Sequence, residues 1–246
     1  MRSGERLGSF PWRTLTKRIV GASLLFFALT SAAQAHHGKD FLLVESYYVP
    51  HPGDLYFVSS MGLARQDGSN SFEGEPSLLL GVIPRAAFEL HGHIAKEGDD
   101  SFRYEATAPA IHVQLTSPEA AFPVRVGLSV EYEIASSHSE EGDRLEGRLV
   151  LEGSGKPKLA FNLIGERGEG GETTFGYAAG YRLEASERFA CGAEAQGQFE
   201  NSAAHELVFG VYSEPSGRCT LKGGVGAGLG PESPDSSVHA GLVWRF

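Results

Sequence analysis

The chain has little of what would mark most other classes of protein. Beyond Leu29 no apolar run approaches the roughly 20 residues that a helix needs to cross a bilayer, and this excludes a helical membrane protein. Positive charge is scarce, with 21 Lys and Arg against 31 Asp and Glu for a formal net charge of −10. A nucleic-acid binder would be basic. Apolar residues recurring at helical spacing are rare. No zinc-finger spacing, H-E-x-x-H or G-x-S-x-G occurs. The glycine run Gly223-Gly224-Val225-Gly226-Ala227-Gly228 has no following helix that opens with Lys-Ser or Lys-Thr, so it is not a phosphate loop. There are only two cysteines, Cys191 and Cys219.

The N-terminal stretch is distinctive. Arg2, Arg6, Arg13, Lys17 and Arg18 precede an apolar run from Ile19 to Leu29, and small residues then lead to Ala33-Gln34-Ala35. That order reads as a secretory signal peptide over residues 1–35, cleaved after Ala35 to leave His36 as the mature start. One domain is expected in the remainder. The 32 glycines and 41% hydrophobic residues suit an exported β-barrel, although soluble β-sandwiches share such a composition.

From about residue 54 to the end, period two dominates. Val124, Val126, Leu128, Val130, Tyr132 and Ile134 alternate with Arg125, Gly127, Ser129, Glu131 and Glu133. Turn signals divide the region into strands near 54–64, 71–83, 86–96, 102–116, 123–135, 144–153, 157–167, 172–183, 187–199, 204–213, 217–229 and 236–246. About twelve strands fit the even number that bacterial barrels require, and short and longer connections alternate as periplasmic turns and extracellular loops do. The fourth strand changes phase, and the expected cause is a bulge or break near Pro109. Residues 36–53 precede the alternation. Phe41 to Val44 and Tyr47 to Val49 are too apolar to be left in water, so this segment is expected to enter the lumen as a plug or to close the periplasmic mouth. The fold class is therefore all-β, an antiparallel up-and-down transmembrane barrel over residues 54–246.

What separates a barrel from a sandwich is the chemistry of each face. One face carries Phe72, Phe88, Phe122, Tyr132, Phe161, Phe175, Tyr181, Phe189, Phe199, Phe209 and Trp244, several near strand ends where aromatics form interfacial girdles. The other carries Gly, Ser, Glu, Arg and Gln. Small inward residues leave lumen space or let an inserted segment approach the wall. Cys191 and Cys219 fall two strands apart, roughly 10 Å at the spacing of adjacent strands, which predicts no disulfide.

The last strand ends with Ala240, Leu242, Trp244 and Phe246 on one face. It resembles the terminal strand of bacterial outer-membrane barrels, where a final Phe with alternating apolar residues is read by the barrel-assembly machinery. His36-His37-Gly38 and the Glu75 to Arg85 strand and turn resemble the phenol-degradation (MetA-pathway) outer-membrane channel family. That resemblance implies uptake of small hydrophobic compounds. Outer-membrane lipid, the assembly machinery and a small-molecule solute are the expected partners, with no nucleic acid and no cofactor.

Inward faces define the candidate site. Glu73, Glu75, Glu133, Glu146, Glu166 and Glu200 fall toward the extracellular side, and Arg125, Lys158, Arg182, Arg188, Lys222 and Arg245 toward the periplasmic side. Such a bipolar lumen concentrates cations at its outer mouth if open, or carries no selectivity if the charges pair with one another. Glu131 is expected opposite Arg148 as a cross-strand ion pair. Glu89, His91, His93 and His112, with the N-terminal His36 and His37, are candidate ligands for a divalent transition metal. An outer-membrane channel or transporter is the favoured function. A non-conducting structural or ligand-binding barrel is the alternative. An outer-membrane hydrolase using Ser137, His138 and Ser139 with Glu140, Glu141 or Asp143 comes third, and the chain is read as not an enzyme.

Overall fold

The computed structural model describes residues 40–119, 122–137, 139, 142–200 and 204–246. The expected signal peptide and the candidate ligands His36 and His37 lie outside the described residues. Twelve strands follow one another: β1 (Leu55–Gln66), β2 (Ser69–Ile83), β3 (Ala86–Glu97), β4 (Arg103–Gln114), β5 (Val124–Ala135), β6 (Arg144–Gly153), β7 (Lys158–Gly168), β8 (Thr173–Glu184), β9 (Phe189–Gln198), β10 (His205–Ser216), β11 (Cys219–Gly228) and β12 (Ser236–Arg245). Each pairs antiparallel with its sequence neighbours, and β1 pairs with β12 to close the barrel. Closure leaves no strand edge, so every strand has a hydrogen-bonded neighbour on both sides, a requirement in lipid.

Burial is inverted relative to a soluble protein. On β5, Val124, Leu128, Val130, Tyr132 and Ile134 are exposed, whereas Ser129, Glu131 and Glu133 are buried. The same holds around the ring, with Leu159, Phe161 and Leu163 outward on β7 and Asn162 inward. Polar groups turned inward and apolar groups turned outward suit a wall with lipid outside and a polar interior. Outward aromatics gather toward both ends: Phe102, Tyr104, Tyr132, Phe175 and Phe199 at one, and Phe122, Tyr181, Phe189, Trp244 and Phe246 at the other.

Three sequence expectations are corrected. The connection after β1 was expected to span residues 65–70 but is the two-residue turn Asp67-Gly68, both with positive φ (52° and 83°). Asp and Gly tolerate that conformation, so the strands run on to meet it. The phase change on β4 comes from a bulge at Glu105 rather than at Pro109: His93 pairs with Ala106 and Ile94 with Tyr104, leaving Glu105 as the extra residue. Pro109 stays in register with Leu90 on β3, while the register to β5 passes from Thr107–Ile134 to Ala110–Glu131. Finally, Glu131 stands across from Glu146, and Arg148 across from Ser129. The error is a slip of two residues, which preserves every face because the side-chain period is two.

Both cysteines are free, Cys191 on β9 and Cys219 on β11 with β10 between them.

Candidate functional site: the lumen and the segment within it

Residues 40–50 have neither helix nor strand, yet Phe41, Leu43 and Val44 are fully buried and Leu42 and Tyr47 nearly so. A segment without its own secondary structure must find partners for its backbone N–H and C=O groups elsewhere, and these partners come from inward side chains of the wall. The Glu194 carboxylate on β9 accepts from the N–H groups of Leu42 (2.7 Å), Leu43 (2.7 Å) and Val44 (3.1 Å) and from the Tyr212 hydroxyl (2.5 Å). Asn162 on β7 accepts from the Glu45 N–H (2.8 Å) and donates to the Glu45 carbonyl (3.0 Å). Glu152 accepts from the Tyr47 N–H (3.2 Å), and Gln114 donates to the Tyr47 carbonyl (3.1 Å). Lys222 on β11 donates to the Phe41 carbonyl (2.6 Å).

The side chains of the segment are held as well. Asp40 meets Lys158 and Arg182, each at 2.7 Å. Glu45 accepts from His112 Nδ1 (3.0 Å) and Ser129 Oγ (2.8 Å) and lies 3.7 Å from Arg148. Tyr47 donates its hydroxyl to the Thr116 carbonyl. Glycines make room: a Cβ at Gly180 would lie 2.7 Å from the Phe41 ring, and one at Gly224 would lie 2.6 Å from Leu42. Leu42 and Leu43 pack with Val208 and Tyr212, and Phe41 and Val44 pack with Ala160 and Ala178. The apolar core is therefore one between segment and wall, inside the barrel.

The remaining inward groups pair among themselves. Arg148, 1% exposed, meets Glu146 at 3.0 Å. Arg144 lies between Glu133 (3.6 Å) and Glu166 (3.7 Å), and Arg125 lies 3.7 Å from Glu152. Glu206 accepts from Gln196 (3.0 Å) and lies 2.9 Å from His239 Nε2. Such pairs offset much of the desolvation that buried charges would otherwise carry.

Of the lumen charges named from the sequence, Glu75, Glu131, Glu133, Glu146, Arg148 and Arg182 are buried on the inward face, and Glu166 and Lys158 are partly buried there. Three are not in the lumen wall: Glu200 is exposed in the connection after β9, which ends at Gln198. Arg188 is exposed in the turn between β8 and β9, and Arg245 is exposed at the rim, 3.1 Å from Asp54. All three sit at or just past strand ends, where alternation continues in sequence after the buried wall has stopped. Glu89, His91, His93 and His112 face inward on β3 and β4, with Glu89 completely buried. Sequence reasoning passed over Glu194, Asn162, Glu152, Gln114 and Tyr212. The available signal was a lone inward carboxylate among Ala and Gly on β9.

The loop proposed for hydrolysis has another use for its acid. Asp143 accepts from the Tyr132 hydroxyl (2.7 Å) and the Ala135 N–H (3.1 Å), which hold its carboxyl below the usual range. His138, Glu140 and Glu141 lie outside the described residues.

No family model and no curated sequence matches the chain. Solved structures do match in fold. The outer membrane channel COG4313 from Pseudomonas putida F1 aligns over 87% of this chain and 100% of its own, with a TM-score of 0.63 and 11% identity. The KdgM porin aligns over 78% and 99% (TM-score 0.57, 8% identity), and the NanC porin over 78% and 100% (TM-score 0.52, 9% identity). The protein has the closed antiparallel barrel fold of the outer-membrane class.

Proposed function

We propose that the protein is an outer-membrane channel for small molecules, with residues 36–53 acting as a plug in its lumen. The observation that carries this reading is the inverted wall: an apolar belt outside, charged side chains inside, and a chain segment seated among them by replaceable polar contacts. The three structural neighbours described above are named as a channel and as porins, and this supports the same reading.

The finer assignments rest on the sequence. The strand and turn from Glu75 to Arg85 support the resemblance to phenol-degradation channels, which would make the solute a small hydrophobic compound. Export by a cleaved signal peptide rests on the pattern of residues 1–35, and recognition of Trp244 and Phe246 by the assembly machinery accords with the outward position of both side chains on and after β12. With the plug withdrawn, Glu75, Glu133, Glu146 and Glu166 would outnumber Arg144 and Arg148 beside them, and the excess negative charge would favour cations over anions.

Planar-bilayer conductance of the refolded protein, with and without residues 36–53, tests the proposal. Low conductance that rises on deletion, with a cation-selective reversal potential, is expected. Silence of both forms, with heat-modifiable migration showing a folded barrel, would replace the channel by a non-conducting binding or structural barrel.

A further inference from the structure

On the inward wall of β3, β4 and β5, imidazoles and carboxylates converge in two trios. Glu89, His91 and His112 each present a ligand atom, all within 4.8 Å of one another, and His93, Glu131 and Glu133 do the same. In the first trio, Glu89 Oε2 lies 2.8 Å from His112 Nε2 and 3.6 Å from His91 Nε2. Glu131 Oε2 approaches His91 Nε2 at 3.4 Å as a fourth ligand atom. A tetrahedral ion with bonds of about 2.0–2.1 Å sets its ligand atoms about 3.3 Å apart, and both Glu89–imidazole spacings lie within roughly half an ångström of that value.

The outer contacts already orient this trio. Ser77 Oγ donates to Glu89 Oε1 at 2.5 Å, which leaves Oε2 turned toward the imidazoles. Glu45 Oε1 lies 3.0 Å from His112 Nδ1, which leaves Nε2 turned toward Glu89. A carboxylate on one imidazole nitrogen with a metal on the other is the usual outer-shell arrangement of histidine ligands. Charge balance points the same way. Among the described residues, the patch holds the carboxylates of Glu45, Glu75, Glu89, Glu131, Glu133 and Glu146 and two guanidiniums, those of Arg144 and Arg148. Burying that excess calls for cations, supplied as protons on the imidazoles or as a metal ion.

We propose that Glu89, His91 and His112 bind one divalent transition-metal cation, and that Glu45, by holding His112, links its binding to the seating of residues 40–50. Two imidazoles and a carboxylate suit Zn²⁺, Ni²⁺ or Cu²⁺. Because Glu45 belongs to the inserted segment, the link is reciprocal: a seated segment tightens metal binding, and bound metal tightens the seat. The site does not depend on whether the lumen conducts.

The test uses the full mature chain, refolded and stripped with chelator, with Zn²⁺ binding followed by calorimetry and by metal analysis after dialysis. One equivalent is expected, retained in a His36→Asn/His37→Asn variant. Glu89→Gln and His91→Asn should each weaken binding at least tenfold, and Glu45→Ala should weaken it about 10–100-fold, as loss of an outer-shell partner does. Heat-modifiable migration reports that each variant is folded. Should the wall variants fail to fold, Cu²⁺ bound to the His36→Asn/His37→Asn protein is expected to show an electron paramagnetic resonance spectrum with two imidazole nitrogens. An absence of binding by the folded chain, loss of binding with the terminal pair alone, or an all-oxygen Cu²⁺ spectrum would each overturn the site. Unchanged affinity in Glu45→Ala would overturn the link to the segment.

Discussion

The Leu43 N–H donates to Glu194 Oε2 at 2.7 Å, joining the start of the described chain to β9 across 151 residues of sequence. The same carboxylate accepts from Leu42 and Val44. Three successive N–H groups on one anion form a concave seat, and no other acceptor for them is needed. Removing the carboxylate leaves buried donors without partners, at about 1–3 kcal/mol for each.

Glu194→Ala should therefore unseat the segment while the barrel stays closed, because the wall ladder does not involve this side chain. Protease cleavage within residues 40–53 is expected to speed up by at least tenfold, with conductance approaching that of the deletion. A cleavage rate equal to the parent's would show that the seat holds without Glu194.

Steric displacement should give the same phenotype by a different route. A Cβ at Gly180 meets the Phe41 ring at 2.7 Å, and one at Gly224 meets Leu42 at 2.6 Å. Gly180→Val and Gly224→Val are expected to raise conductance and protease sensitivity together. Bilayer recordings that match the parent in both variants would mean the segment adapts without leaving.

Arg148 is 1% exposed and meets Glu146 and Glu45. Its replacement by Ala leaves buried carboxylates uncompensated, at a cost of roughly 3–5 kcal/mol. The urea midpoint of refolded protein in lipid vesicles should fall accordingly, and Arg148→Lys should recover only part of the loss because it lacks the planar fork. An unchanged midpoint in Arg148→Ala would mean that other groups balance these carboxylates.

The belt predicts a depth dependence. Val130 lies mid-strand on the outward face of β5, and Val124 begins that strand. Val130→Arg should destabilise the inserted barrel by about 2–4 kcal/mol and Val124→Arg by about 0–1 kcal/mol. Equal effects in vesicle-based urea titrations would place the membrane elsewhere on the wall.

Selectivity should follow the acidic groups. In the form lacking residues 36–53, changing Glu133, Glu146 and Glu166 together to Gln is expected to move the reversal potential toward zero in a salt gradient. A cation preference that survived this change would assign selectivity to other lumen groups.

Most of the wall was legible because a barrel strand writes its two environments into alternate residues. The alternation from Val124 to Ile134 separates lipid-facing from lumen-facing side chains by itself. What failed lay at positions where alternation carries no information. Arg188, Glu200 and Arg245 keep the phase of an inward residue but lie beyond the buried wall. The Glu131–Arg148 pairing failed because facing strands can slip by two residues without changing the side any residue faces. A turn conformation, Asp67-Gly68 with positive φ, decided the length of one loop.

The amino-acid sequence by itself determined an even ring of about twelve strands, the face of most side chains and the chemistry of both surfaces, because these follow from a local period of two and from turn residues. Tertiary structure alone decided which inward groups meet. Glu194 beneath Leu42 to Val44, Asn162 around Glu45, and Glu89 with His91 and His112 are brought together by barrel closure and by an inserted segment with no pattern of its own. Contacts of that kind depend on register and depth in three dimensions, and neither is encoded in the alternation of a single strand.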